Sequence, residues 1–149
     1  NCTSVDTAID LISHIPKFGN NAGTCYLLAD KREAIVIEMG VTKSRLRESE
    51  EGILIASNAF LTPVADEMKP SEPEALTRHY FARKHLSEKK GKVDNKFMRE
   101  LISDHSIPIC SHNEINTLRS VIAKTNERKI LVADGHPCTS KCEKILIPT

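Results

Sequence analysis

Residues 25–37 read CYLLADKREAIVI, and this stretch decides the fold class. Residues 25–29 are apolar, and residues 30–33 are polar and of the kind that forms tight turns. Residues 34–37 return with a run that is β-branched and almost continuously apolar, so we predict that both faces of this run are covered. The stretch therefore predicts an antiparallel hairpin with a buried second strand.

The segments on either side of the hairpin have weaker signals. Upstream, residues 3–15 show a helical period of apolar residues, with a capping-box pattern at Thr3 and Asp6 and a helix end at Pro16. Downstream, residues 43–47 predict an exposed strand. A further strand is predicted over residues 53–58, and residues 62–72 predict a loop.

The second half of the chain predicts two helices followed by strands. Residues 73–87 form a helix with proline in its first turn, and Asp94 caps another helix. Three more strands are predicted at residues 117–123, 129–133 and 144–147. Strands that follow one another in sequence favour antiparallel pairing, and helices between strand groups favour helix layers on sheets. We therefore predict an α+β fold, not a doubly wound one, in a single domain over residues 1–149.

Composition excludes several classes of function. The chain has 149 residues, 40% of them hydrophobic, and a net charge of +1 with both signs mixed, so nucleic-acid binding is not expected. No apolar run approaches the length of about 18 residues that a membrane span needs. Five cysteines cannot all pair within one chain, and free thiols predict a reducing, cytoplasmic location.

Two polar residues could take part in chemistry. Asn58 follows an apolar run, where a rigidly held amide can donate to an oxyanion; asparagine at such a position also commonly starts a turn. Arg78 offers a planar fork for a carboxylate, or it is a solvated arginine beside Arg83 and Lys84. Pattern alone favours the turn for Asn58 and the solvated side chain for Arg78.

The late cysteines and histidines suggest two other chemistries. Cys110, His112, His136, Cys138 and Cys142 include the thiolate and imidazole ligands that zinc prefers. Their spacing does not match the usual CxxC pairing, so we expect no metal and no cofactor, with a zinc-binding module as the alternative. Cys110 and His112 could also act as nucleophile and base, but nothing in the sequence marks a third, orienting group.

Several segments together resemble a known family. In chain order they are LLAD at 27–30, EAIVIE at 33–38, GILIASNAFL at 52–61, TRHY at 77–80, ICSH at 109–112, TLRSVI at 117–122 and ADGHPC at 133–138. This order resembles the acyl-coenzyme A:6-aminopenicillanic acid acyltransferase family of linear-amide C–N hydrolases, in the N-terminal-nucleophile superfamily. Ser57 stands where that family usually has threonine, and Ala59 where it commonly has histidine or proline.

The resemblance implies a four-layer αββα sandwich of antiparallel sheets. It also implies a cysteine, exposed by autoproteolysis, that attacks an amide or thioester carbonyl of a small substrate while its own α-amine acts as base. By position, Asn58 corresponds to the oxyanion-hole asparagine and Arg78 to the active-site arginine that interacts with the nucleophile. The expected activity is that of an amide hydrolase or acyltransferase.

The family's nucleophile has no clear counterpart in the sequence. Cys2 is close to the start, but it precedes a capped helix, whereas the family's nucleophile begins a strand. We therefore expect this chain to be the C-terminal portion, inactive alone, with the nucleophile on a missing segment or chain. Exposed apolar edges and a homo-oligomer are expected to follow. The alternative is a non-catalytic binding or zinc-binding module that shares the layered fold.

Overall fold

The computed structural model of the protein describes residues 2–14, 23–67, 73–107, 109–113 and 116–147. The chain divides into two compact units, Asn1–Tyr80 and Phe81–Thr149. The single domain expected from the sequence stays a prediction. The predicted helix end at Pro16 lies outside the described residues, as do most of the loop after it and the end of the loop predicted over residues 62–72.

The first unit contains an antiparallel sheet in which neighbours in sequence are neighbours in space. Its strands are β1 (Thr24–Ala29), β2 (Ala34–Met39) and β3 (Ser44–Glu48), in the order β1-β2-β3. The predicted hairpin and the exposed third strand are confirmed. Every residue from Ile35 to Met39 is buried, which confirms that both faces of β2 are covered.

The first helix, α1 (Val5–Ser13), packs its apolar side on this sheet. Val5 and Ile12 are buried in one cluster with side chains of β2. The predicted cap at Thr3 and Asp6 is wrong, because Ser4 holds the extended N-cap position and forms a reciprocal capping box with Thr7.

The segment predicted as a fourth strand over residues 53–58 is not one. Ile53 forms only an isolated bridge with Glu50, across a tight turn in which Gly52 has a φ of +78°. The carbonyl of Ile55 accepts a hydrogen bond of 2.9 Å from Arg47 Nη2. A side chain thus occupies a backbone acceptor that a neighbouring strand would need, and residues 54–57 belong to no strand of the described structure.

The predicted helices and late strands are confirmed, with ends that differ by one or two residues. Asp94 caps the third helix, since its Oδ1 accepts from Phe97 N at 2.7 Å. A 3-10 helix at Pro63–Glu67 stands in the predicted loop, and another at Thr125–Glu127 joins two strands. The elements are α2 (Pro73–Glu88), α3 (Asn95–Ile102), β4 (Arg119–Lys124), β5 (Lys129–Asp134) and β6 (Glu143–Leu146).

The fold class is α+β, as predicted. A second antiparallel sheet has the order β4-β5-β6 and lies in the second unit, where Leu101, Ile122 and Ala133 are buried. Among the residues that the structure describes, no helix is both long enough and apolar enough to cross a membrane.

Candidate functional site

Asn58 stands in a bend that follows residues 54–57, and it is exposed. It lines an open concavity beside the start of β1, in which most of the lining is polar. The lining residues are Gly23, Thr24, Cys25, Ala56, Ser57, Asn58 and Phe60. The concavity is open enough for a second segment or a substrate to approach the Asn58 amide.

A buried carboxylate fixes the chain that follows Asn58. Glu38 of β2 is fully buried. Its Oε2 accepts from Leu61 N and Thr62 N, both at 3.0 Å, and from Thr62 Oγ1 at 2.8 Å. Its Oε1 accepts from Arg47 Nε at 2.7 Å. The loop is thereby tied to the centre of the first sheet within four residues of Asn58.

Glu38 is an important residue that the sequence reasoning missed. Burial alone would raise the pKa of its carboxyl, but hydrogen bonds from Leu61, Thr62 and Arg47 outweigh burial and hold the pKa below its ordinary value. The group is therefore charged at neutral pH. The available signal was a single acidic residue within an otherwise apolar strand, since such a residue needs buried partners.

Cys25 lies directly opposite Glu38 in the β1–β2 register. Burial, followed by the negative charge of Glu38, raises the pKa of the Cys25 thiol to about 11, and Arg47 only partly offsets this. At neutral pH the thiol is protonated, and the thiol form is a poor nucleophile. Cys25 therefore lines the concavity beside Asn58 and is not its nucleophile.

Arg78 lies on α2 with its side chain partly buried. Its Nη1 is 4.0 Å from Glu74 Oε2, one helical turn earlier. Within the part of the chain that the structure describes, Arg78 is not among the residues that line the concavity at Asn58. That Asn58 and Arg78 face one cleft stays a prediction, as do their catalytic roles.

A second group of polar side chains converges in the second unit. His105, Cys110, His112 and Cys138 each direct one nitrogen or sulfur atom to a common point, and these four atoms all lie within 4.8 Å of one another. Sγ of Cys110 is 3.6 Å from Sγ of Cys138 and 3.6 Å from Nε2 of His112. The same His112 nitrogen is 3.3 Å from Sγ of Cys138 and 3.2 Å from Nε2 of His105.

Backbone hydrogen bonds fix the loop that carries the first three of these residues. Cys110 N donates to Asp104 O at 3.1 Å, which closes the turn after α3 around His105. Ser111 and Thr117 are joined twice, because Ser111 N donates to Thr117 Oγ1 and Thr117 N donates to Ser111 O, both at 2.9 Å. The positions of the Cys110 and His112 backbones therefore depend on local hydrogen bonds rather than on their side chains.

The turn that carries Cys138 depends on a glycine. Gly135 has a φ of +83°, and its N donates to Leu118 O at 2.8 Å. A Cβ at this position would lie 3.0 Å from Oγ of Ser140, so glycine also leaves room for the Ser140 side chain. Ser140 N in turn donates to His136 O at 2.9 Å, which closes the turn around Cys138.

Five residues of the sequence suggested a metal group, and the structure brings three of them together. His136 instead stacks on the His112 ring, with centroids 3.7 Å apart and an angle of 13°, while its Nε2 contacts Asn116 Oδ1. Cys142 lies 3.4 Å from Arg99 Nη1. The residue that completes the group is His105, which the sequence reasoning missed.

The electrostatics of the group argue against the nucleophile–base interpretation of Cys110 and His112. Burial raises the pKa of the Cys110 thiol. Loss of solvation, followed by the charges of His136 and His105, lowers the pKa of His112. At neutral pH an uncharged imidazole thus faces a protonated thiol, so the two groups do not form a thiolate–imidazolium pair.

Comparison with protein-family models finds no model that matches this chain, and comparison with curated proteins finds no match either.

Proposed function

We propose that this chain forms part of a cysteine N-terminal-nucleophile enzyme that hydrolyses or transfers the acyl group of a linear amide or acyl thioester. Asn58 supplies the oxyanion-hole amide, and Arg78 supplies a cation that orients the nucleophile or binds an anionic substrate. The observation that carries the proposal is the buried Glu38, which anchors the loop after Asn58 next to an open polar concavity.

An oxyanion donor must be held in place before charge develops on the substrate oxygen. In a loop, this requires anchoring groups that do not themselves contact the substrate. Glu38 has that position, since it is fully buried and binds the backbone of Leu61 and Thr62. Asn58 remains exposed at the concavity, so its amide is free to meet a carbonyl oxygen. The arrangement supports a preorganised amide donor.

The nucleophile is proposed to come from a segment outside this sequence. Cys25 and Cys110 both have raised pKa values, so few thiolates form on them at neutral pH. Cys2 precedes the N-cap of a helix and is not at the start of a strand. An N-terminal cysteine on another segment would carry its own base, the α-amine, whose pKa of about 8 suits proton transfer near neutral pH.

The four-layer αββα sandwich is part of the proposal. The β4-β5-β6 sheet leaves one face partly open, and Val121 and Ile145 on that face are 51% and 47% exposed. Layers supplied by the nucleophile segment, or by a second copy of the chain, would bury this surface. A homo-oligomer and a segment that carries the nucleophile are therefore the proposed partners, with a small amide or acyl compound as substrate.

The test uses the native polypeptide that contains this sequence. Its intact mass should show a segment that begins with cysteine. It should hydrolyse at least one of a panel of N-acyl amino acids, acyl anilides and acyl thioesters, and iodoacetamide should abolish that turnover. Arg78→Ala should lower kcat/KM by about 10- to 100-fold, the equivalent of one charged hydrogen bond. Arg128→Ala, at an exposed turn of the second unit, is the matched control.

A native product that starts at Asn1 without a companion segment and turns over none of these substrates would contradict the proposal. The alternative, a non-catalytic binding module, predicts that outcome. It also predicts that Arg78→Ala and Arg128→Ala have the same effect on any ligand that the chain binds.

A further inference from the structure

We propose that His105, Cys110, His112 and Cys138 bind one zinc ion, and that this zinc is structural. The four residues come from two separate loops of the second unit, the one after α3 and the one between β5 and β6. The inference is independent of the proposed catalytic function, because Asn58 and Arg78 contribute nothing to it.

Four of the six distances between the ligand atoms match the edges of a zinc coordination tetrahedron, and the other two, from His105 to the two sulfurs, are within 4.8 Å. Zinc binds cysteine sulfur at about 2.3 Å and histidine nitrogen at about 2.0–2.1 Å, so the edges of a regular tetrahedron are about 3.8 Å for S–S, 3.5 Å for S–N and 3.3 Å for N–N. The corresponding distances are 3.6 Å for the two sulfurs, 3.6 and 3.3 Å for sulfur to His112, and 3.2 Å between the two imidazole nitrogens. All four lie within about 0.2 Å of the expected edges.

Hydrogen bonds alone do not account for this convergence. A thiol is a weak donor and a weak acceptor, and here two thiols and two ring nitrogens share one centre with no carboxylate or cation among them. The sulfur–sulfur distance of 3.6 Å is also far longer than a disulfide bond of about 2.05 Å. A central cation gives every one of these atoms a partner at once.

Zinc binding is balanced by the release of two protons. Cys110 and Cys138 each lose the thiol proton to solvent as an S–Zn bond forms, and the two imidazoles bind through Nε2 as neutral ligands. Two thiolates then cancel the charge of Zn²⁺, so the completed site is neutral. A neutral site suits the position of Cys110, whose side chain is buried.

The ligand set also selects the metal and its role. Two sulfurs and two imidazole nitrogens in a tetrahedron favour zinc over magnesium or calcium, which prefer oxygen ligands. Four protein ligands close the coordination shell, whereas a catalytic zinc keeps a position open for water. The site therefore holds structure and does not activate a water molecule.

His136 acts as a positioning residue for the site. Its ring lies parallel to that of His112, and its Nε2 is engaged by Asn116 Oδ1. This contact engages the His136 nitrogen, while the stacked ring holds the plane of His112. Outer residues of this kind commonly change metal affinity by about 10- to 100-fold without changing the number of ions bound.

A zinc at this position would cross-link the second unit where its apolar core is thin. Among the residues described in that unit, only a few apolar side chains are fully or nearly fully buried: Leu101, Cys110, Ile122, Ala133 and Pro137. Small units of this kind commonly depend on a metal or a disulfide for stability. Zinc would tie the loop after α3 to the β5–β6 loop, and its binding energy would contribute directly to folding.

The experiment measures metal content and metal spectrum on the whole chain. The chain is purified under reducing conditions, stripped with a chelator and titrated with Zn²⁺ or Co²⁺. We expect one zinc per chain. We also expect a cobalt complex with the d–d bands of a tetrahedral site and thiolate-to-metal charge-transfer absorption from two sulfurs.

The variants test each ligand against a near neighbour of the same type. Cys110→Ser and Cys138→Ser should weaken zinc binding by at least about 100-fold, whereas Cys142→Ser, whose sulfur faces Arg99, should bind as the wild type does. His105→Asn should weaken binding in the same way, and His14→Asn in the first unit should not. His136→Asn should bind one zinc with an affinity reduced by about 10- to 100-fold.

The wild-type cobalt spectrum keeps the proposal falsifiable even where a variant fails to fold. An octahedral spectrum, an absence of thiolate charge transfer, or no stoichiometric uptake by the reduced wild type would overturn it. Equal losses in Cys138→Ser and Cys142→Ser would overturn it as well. A Cys110–Cys138 disulfide in protein purified under reducing conditions would also overturn the proposal, because the two cysteines would then be a redox pair and not zinc ligands.

Discussion

Replacement of Glu38 by glutamine removes one charge from the centre of the first unit while it keeps the shape of the side chain. Both oxygens of Glu38 accept hydrogen bonds, Oε1 from Arg47 and Oε2 from Leu61 and Thr62. A glutamine NH₂ can accept none, so it must face at least one of these donors. One buried donor therefore loses its acceptor in either orientation of the amide.

The cost follows from the groups left without partners. An unsatisfied buried donor costs about 1–3 kcal/mol, and removal of one member of a buried ion pair costs about 3–5 kcal/mol. Because the Arg47 side chain is 18% exposed and can reach water, the lower part of that range applies. We expect Glu38→Gln to lower the free energy of unfolding by about 3 kcal/mol, measured by urea denaturation followed by circular dichroism.

Glu48→Gln is the matched control, because Glu48 lies exposed on the neighbouring strand β3. A surface change of this kind should shift the free energy of unfolding by about 0.5 kcal/mol or less. If the two variants have the same stability, the buried carboxylate does not hold the loop, and the support that it gives to the Asn58 proposal is lost.

The loss of stability in Glu38→Gln depends on pH. The pKa of Glu38 is lower in the folded chain than its ordinary value of 4.5. Its stabilising effect is therefore fully present above about pH 4.5 and is lost as the pH falls through the folded pKa. The stability difference between wild type and Glu38→Gln should be constant near neutral pH and shrink below pH 4.5. A difference that stays constant or grows in acid would show that another interaction is responsible.

Two further predictions concern single residues in the two units. Gly135→Ala should lower the free energy of unfolding by about 1–2 kcal/mol because of the positive φ, and by a further amount because the new Cβ meets Ser140 Oγ. In the control Gly91→Ala, at a φ of +76° with no atom within 4 Å, only the loss due to φ should appear. Equal urea midpoints for the two variants would refute the contact with Ser140. At pH 8, iodoacetamide should modify the exposed Cys2 quickly and Cys25 slowly, because a pKa of about 11 leaves only about one Cys25 thiol in a thousand ionised. Mass spectrometry of timed samples measures both rates, and similar rates would contradict the raised pKa of Cys25.

Periodicity predicted most of the regular structure because the deciding contacts are local. The hairpin β1–β2, the helix capped by Asp94 and the β4–β5 pair each join residues that are near in sequence, so pattern and turn chemistry are sufficient. Residues 53–58 show where such reasoning fails. Their composition is that of a strand, but Arg47 binds the carbonyl of Ile55, and no local pattern reports a side chain that arrives from eight residues away.

The same limit applies to the site residues. The sequence singled out Cys110, His112 and Cys138, yet a spacing rule cannot find a ligand set whose members come from two loops joined by two strands. His105 was missed because it stands alone in sequence beside the end of α3. Glu38 was missed because a charged residue in an apolar strand becomes informative only when its partners are known, and two of these, Leu61 and Thr62, lie more than twenty residues further along the chain.

The most direct test of the proposed function is the single-turnover acylation rate of the native polypeptide, measured for wild type, Asn58→Ala and the control Asn126→Ala at the exposed β4–β5 turn. Loss of a preorganised oxyanion donor should lower the acylation rate by about 10²- to 10³-fold and leave substrate binding nearly unchanged, since the amide acts on charge that develops only in the transition state. Asn126→Ala should acylate at the wild-type rate. An Asn58→Ala variant that also acylates at the wild-type rate, or one that loses substrate binding instead, would contradict the role of Asn58.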